Sequence, residues 1–323
     1  MRRACLLLAL VACESTFYQP KDTADTGRAV DTDGDDTGDS HDSDTGDDSG
    51  DTEDSAETGD TDTGLPVEAT DFTVTGPHEV FTWSRTLSGA SCAMDYDVYA
   101  PQNYEGTEIV ILSHGFMRTK ANMAGWAQHL ASWGLTVVTP NLCSIYDHAT
   151  NGQDLVKLTD AVTTGAAIYA GHSAGGLASM IAASQDPSTR GVLGLDLVDA
   201  FSLGVSAAGS VSAPVAGLVG ISSSCNSKNN GLDVYRAAPD AQALYVTEAD
   251  HCDFENPTDT LCQFLCPGTN LAFSDAEIQV TLKGLVTSWI VWRWGLDATG
   301  EMYWTFGEDP YLDMLSDGAI DPV

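Results

Sequence analysis

The stretch Tyr169–Gly176 reads YAGHSAGG, a serine set among small residues between an apolar run and a helix-like one. Its left flank, AAIYAG, is a continuous apolar run of strand length, as expected for a strand buried on both faces. Its right flank, GGLASMIAAS, reads as a helix. Gly171 and Gly175 allow the tight turn that a direct strand-to-helix passage needs. The same alternation runs outward in both directions. Before it come EIVILSHG as a strand, ANMAGWAQHLASWG as a helix, LTVVTPN as a strand and NGQDLVKLTDAV as a helix. After it come the strands GVLGLDLVD, VAGLVGIS and QALYVTEADH, and a long closing helix, DAEIQVTLKGLVTSWIVWRWGL. FTVTG, FTWSRTL and YDVYAP read as further strands near the start of the domain. Strands alternating with helices predict an α/β domain with a mostly parallel central sheet flanked by helices. The loops at the carboxyl ends of its strands would share one edge.

In that context GHSAG matches G-x-S-x-G, and Ser173 is the candidate nucleophile. A strained turn lifts such a hydroxyl clear of the sheet, and the Ala174 amide at the helix start can donate to an oxyanion. The second donor is expected from the loop after IVILSHG, where Gly115 permits close approach and the Phe116 amide is the candidate. A serine needs a base. Of seven histidines only His251 lies in a loop after the serine, following the strand ALYVTEAD. His148, also in a loop, reads as a cleft-lining residue. For the acid, Asp196 ends the strand GVLGLD and can orient an imidazole from a neighbouring strand end. Asp233 is the alternative, with Asp199 and Asp250 behind it.

The formal charge of -34 is uneven, with 17 acidic residues between Lys21 and Gly64 and almost nothing apolar there. That segment cannot bury enough surface to offset its ordering entropy and reads as a solvated, disordered linker. A calcium-binding reading of DTDGDD fails because the glycine and glutamate of an EF-hand loop are out of place. The remainder from Pro66 is acidic too, which excludes nucleic acid as a partner.

The N-terminus, MRRACLLLALVACESTF, carries two arginines and then an apolar run too short to span a bilayer. Its LVAC resembles a bacterial lipobox, which implies cleavage before Cys13, lipidation of Cys13 and anchoring in the cell envelope. The expected organisation is a signal peptide over 1–12, an acidic linker over 13–65 and the catalytic domain over 66–323. Six further cysteines in an exported chain suggest disulfides. Cys262-x-x-x-Cys266 lacks a second close Cys/His pair, so no metal and no cofactor is expected.

LSHGFMRTKANMAGWAQHLASWGLTVVTPN together with GHSAGG resembles the α/β-hydrolase families of chlorophyllases, platelet-activating-factor acetylhydrolases and cutinase-like polyester hydrolases. GLDLVDA is similar to the chlorophyllase and acetylhydrolase segment that carries the acid, which implies Asp196. The resemblance to polyester hydrolases implies a Cys225–Cys252 bridge pinning the His251 loop, and Cys92–Cys143 is the expected remote pair. Only about 17 residues separate GLDL from VAGLVG, too few for a large cap domain. The expectation is a monomeric serine carboxylic-ester hydrolase with an open cleft for bulky lipid-like or polymeric esters. A serine amidase or peptidase is one alternative, and a non-catalytic, lipid-anchored binding protein on the same fold is another.

Overall fold

A computed structural model describes residues 67–102, 106–268 and 271–323, which fall within one unit, Thr63–Val323. Cys13, the expected signal peptide and the acidic linker lie outside the described residues. The strands are β1 (Val80–Leu87), β2 (Met94–Pro101), β3 (Ile109–Ser113), β4 (Thr136–Pro140) and β5 (Ala167–His172). They continue with β6 (Thr189–Leu195), β7 (Val215–Val219), β8 (Ala241–Val246) and β9 (Ile320–Pro322). The helices are α1 (Ala124–Ser132), α2 (His148–Val162), α3 (Ala174–Ala183), α4 (Leu203–Ala208) and α5 (Gly231–Ala237). After β8 follow α6 (Thr260–Leu265), α7 (Asp275–Trp294) and α8 (Asp309–Ser316).

The strands form a single sheet in the order β1-β2-β4-β3-β5-β6-β7-β8-β9. From β4 to β8 all neighbours are parallel, and β1, β2 and β9 are antiparallel additions at the two edges. The central strands β3, β5 and β7 are buried along their whole length, which is why they read as unbroken apolar runs. One face packs α1 and α7 through Trp126, Leu130, Leu285 and Trp289. The other packs α2, α3 and α5 through Leu155, Leu177, Ile181 and Val234. This is the expected α/β architecture, consistent with an α/β-hydrolase-like fold. The β6–β7 connection carries only the six-residue α4, so no cap is inserted there.

Chain order places β4 on one side of β3 and β5 on the other. A crevice opens outside the carboxyl ends of strands at such a switch point. Both the Gly115 turn and Ser173 lie there, directly after β3 and β5.

The segment FTVTG is not a strand. The Asp71 carboxylate accepts the Thr73 amide at 2.9 Å and its hydroxyl at 2.6 Å, a local turn that competes with sheet pairing. Phe72 is buried instead as a plug, its ring 5.0 Å from Trp133 and 5.6 Å from Tyr303.

Candidate active site

Ser173 leaves β5 at φ 54°, ψ -122°, a strained conformation for a residue with a side chain. The two motif glycines make this turn possible by close backbone approach. A Cβ on Gly171 would lie 2.5 Å from the Gly175 carbonyl carbon, and one on Gly175 would lie 2.4 Å from the His114 carbonyl oxygen. The first amides of α3, Ala174 among them, have no partner within the helix and carry the positive end of its dipole.

On the other side of Ser173 the chain turns over Gly115–Arg118, with the Arg118 amide donating to the Gly115 carbonyl at 3.2 Å and Met117 at φ 56°. The His114 ring braces this turn. Its Nδ1–H donates to the Gly115 carbonyl at 2.8 Å, and its Nε2 accepts the Leu142 amide at 3.0 Å. That pattern requires the neutral ring, and burial pushes the His114 pKa down to about 4. A Cβ on Gly115 would come 3.2 Å from the Ser173 Cβ, so the turn lies against the serine. Phe116 and Ala174 line the same cavity.

His251 Nδ1–H donates to Asp196 Oδ2 at 2.6 Å. This leaves Nε2 as the proton acceptor of the neutral ring. Asp196 is buried at the end of β6 with φ 44° and also accepts the Gly220 amide at 3.0 Å. The other candidate acids are elsewhere. Asp233 is exposed and pairs with Arg236 at 2.9 Å. Asp199 accepts the Gly204 and Val205 amides at the start of α4. Asp250 accepts the Cys252 and Asp253 amides and shapes its own loop.

Ser173 and His251 line one cavity of 260 Å³ with Leu261, Cys262 and Leu265 of α6 and with Cys225 and Cys266. A second cavity of 270 Å³ lies alongside, lined by Ala174, Leu142, Ile145 and His148. The two share Phe116, Met117 and Arg118. Phe116, Met117, Ile145 and Tyr146, in loops that follow parallel strands, and Leu261 and Leu265 of α6 all leave large apolar surfaces exposed.

The cysteine pairing differs in part from expectation. Cys92–Cys143 is formed, but Cys225 pairs with Cys266 and Cys252 with Cys262. The expected Cys225–Cys252 bridge is therefore wrong. The cause is α6, whose N-terminus Asp259 caps by accepting the Leu261 and Cys262 amides. One helical turn separates Cys262 from Cys266, so each reaches a different partner, one beside His251 and one in the Cys225 loop.

Four side chains to which sequence reasoning gave no role also belong here. Asn226 is buried beside Asp196. Arg118 and Glu255 pair between the Gly115 turn and the His251 loop, with Nε to Oε1 at 2.5 Å and an Nη to Oε2 at 2.6 Å. Burial raises the Glu255 pKa and the Arg118 hydrogen bonds pull it back. His172, wholly enclosed between Glu255 and His251, is held neutral mainly by burial, its pKa far below the usual value. No local pattern marks Asn226, Arg118 or Glu255, because each acts on residues remote in sequence.

No protein-family model matches this chain, and a search among curated proteins finds no match.

Proposed function

We propose that this protein is a serine carboxylic-ester hydrolase of the α/β-hydrolase kind, acting through Ser173, His251 and Asp196. The observation that carries this reading is the 2.6 Å His251–Asp196 hydrogen bond formed in a cavity that Ser173 also lines. Ser173 Oγ attacks the ester carbonyl carbon as His251 Nε2 takes its proton, and Asp196 holds the imidazolium. The carbonyl oxygen becomes an oxyanion that accepts the Phe116 and Ala174 amides. Collapse breaks the bond to the alkoxy oxygen, which leaves with the proton from His251. A water molecule, deprotonated by the same imidazole, then releases the acid and restores the serine.

The exposed apolar residues around a cleft of two connected lobes support bulky lipid-like or polymeric esters as substrates. The chain's acidity disfavours anionic ones. Lipidation at Cys13 would hold the enzyme at a bacterial envelope membrane. Detergent-phase partitioning lost in Cys13→Ala tests that part.

The activity is tested with p-nitrophenyl esters from acetate to laurate on the protein and its Ser173→Ala variant. Loss of the nucleophile should lower kcat on the order of 10⁴-fold or more. Two folded but equally inert proteins would leave a binding protein, and equal activity in both would remove Ser173 from the chemistry.

A further inference from the structure

We infer that the Arg118–Glu255 pair is a positioning clamp that fixes the Phe116 oxyanion donor relative to the His251 base. This inference rests on the ester-hydrolase reading. The donor and the base are carried by separate loops, one after β3 and one after β8, on strands that are not neighbours in the sheet. Arg118 closes the turn that presents Phe116, its backbone N–H donating a hydrogen bond to the Gly115 carbonyl. Glu255 closes the loop that presents His251, its amide donating to the Cys252 carbonyl at 3.1 Å. Two parallel hydrogen bonds of 2.5 and 2.6 Å join their side chains. Such a planar fork fixes direction as well as distance, which a single contact cannot do.

Arg118 reaches a third element as well. An Nη lies 3.0 Å from Asp259 Oδ2, the residue that caps α6, so the guanidinium ties the turn, the base loop and the cleft wall together. The Glu255 side chain is wholly buried and that of Arg118 is 10% exposed, so water does not loosen the fork. Arg118 lines both lobes of the cleft while its polar atoms face carboxylates, which makes it a strut beneath the substrate. Neither residue takes a proton or forms a bond in the reaction.

Breaking one side of a buried pair strands the other charge, so single variants confuse folding with positioning. Replacing both partners by apolar side chains of similar length is often neutral or stabilising. The experiment is therefore the full-length Arg118→Met/Glu255→Met double variant, beside Arg118→Lys, the parent and Ser173→Ala. Each is measured for thermal unfolding, for kcat and KM on p-nitrophenyl butyrate, and for inhibition by an alkyl boronic acid that mimics the tetrahedral adduct. The clamp predicts a double variant that unfolds near the parent temperature. Its kcat should fall tenfold or more with KM within about twofold, and boronate affinity should fall in parallel with kcat/KM. Arg118→Lys, which keeps the charge but not the fork, should fall between the two. A double variant with parental kcat and boronate affinity would overturn the clamp and leave the hydrolase reading intact. A parent that neither hydrolyses the ester nor differs from Ser173→Ala would overturn both.

Discussion

The Asn226 side-chain amide donates to both carboxylate oxygens of Asp196, at 3.3 and 3.1 Å, and also to the Ile221 carbonyl at 2.8 Å. Its own carbonyl oxygen accepts the Ser223 and Asn229 amides. Asn226 thus fixes the plane of the acid that His251 meets on its other side, and its neighbour Cys225 anchors that loop to α6 through Cys266.

Asp196→Asn is expected to leave the fold intact and lower kcat on the order of 10⁴-fold, because the amide cannot hold the productive imidazole tautomer. Asp233→Asn should leave kcat unchanged, since that carboxylate is exposed and paired with Arg236. Steady-state kinetics on p-nitrophenyl butyrate read both. Equal losses in the two variants would refute Asp196 as the orienting acid.

Leu265 lines the lobe that holds Ser173 and is 60% exposed. Leu265→Ser should cut the ratio of laurate to acetate kcat/KM about tenfold, with acetate itself little changed. A parallel fall for both esters would show that this side chain does not contact the chain of the substrate.

Asp253 is buried, and burial raises its carboxyl from 3.8 to about 7; the Asp250 amide hydrogen bond opposes this, while the charges of Asp250 and Asp275 add to it. Between these two values the folded protein holds a proton that the unfolded chain releases. The group's stabilising contribution is therefore complete below about pH 4 and is lost as pH rises through about 7. Asp253→Asn keeps an oxygen for the Asp250 amide and removes the titration. Its melting temperature should draw ahead of the parent's by a few degrees between pH 4 and 7 and hold that lead above. A constant difference across the range would count against a raised carboxyl.

Cys92–Cys143 closes a loop of 51 residues. Chain-entropy arguments give about 4 kcal/mol for a loop of that length. Urea unfolding of the Cys92→Ala/Cys143→Ala variant should show a loss near this size, while the folded variant still hydrolyses p-nitrophenyl acetate. A loss below about 1 kcal/mol would mean that the unfolded chain is already constrained there.

The parts of this molecule legible in sequence are those set by local pattern. β5, the Ser173 turn and α3 follow from an apolar run, two glycines and a helix-like segment in direct succession. Asp196 and His251 were reached because strand ends can be placed by counting alternating elements. FTVTG misled because its β-branched residues look strand-like, while the Asp71 carboxylate, two residues before Thr73, decides the backbone. The pairing of Cys225, Cys252, Cys262 and Cys266 lies out of reach for a different reason. α6 spans only six residues, too few for a periodic signal, yet its rotation settles which sulfur meets which. Arg118 and Glu255 are 137 residues apart, and nothing near either one announces the other.

Leu261, Phe264 and Leu265 make α6 an inviting target for a protease, for all three are exposed. A cut after Phe264 would part the backbone but not the molecule, because Cys262 stays joined to Cys252 on one side of the cut and Cys266 to Cys225 across it. The nicked ends could not separate, and the loop carrying His251 would keep both of its moorings. Durability at this edge of the cleft is thus covalent, and a broken peptide bond alone does not end it.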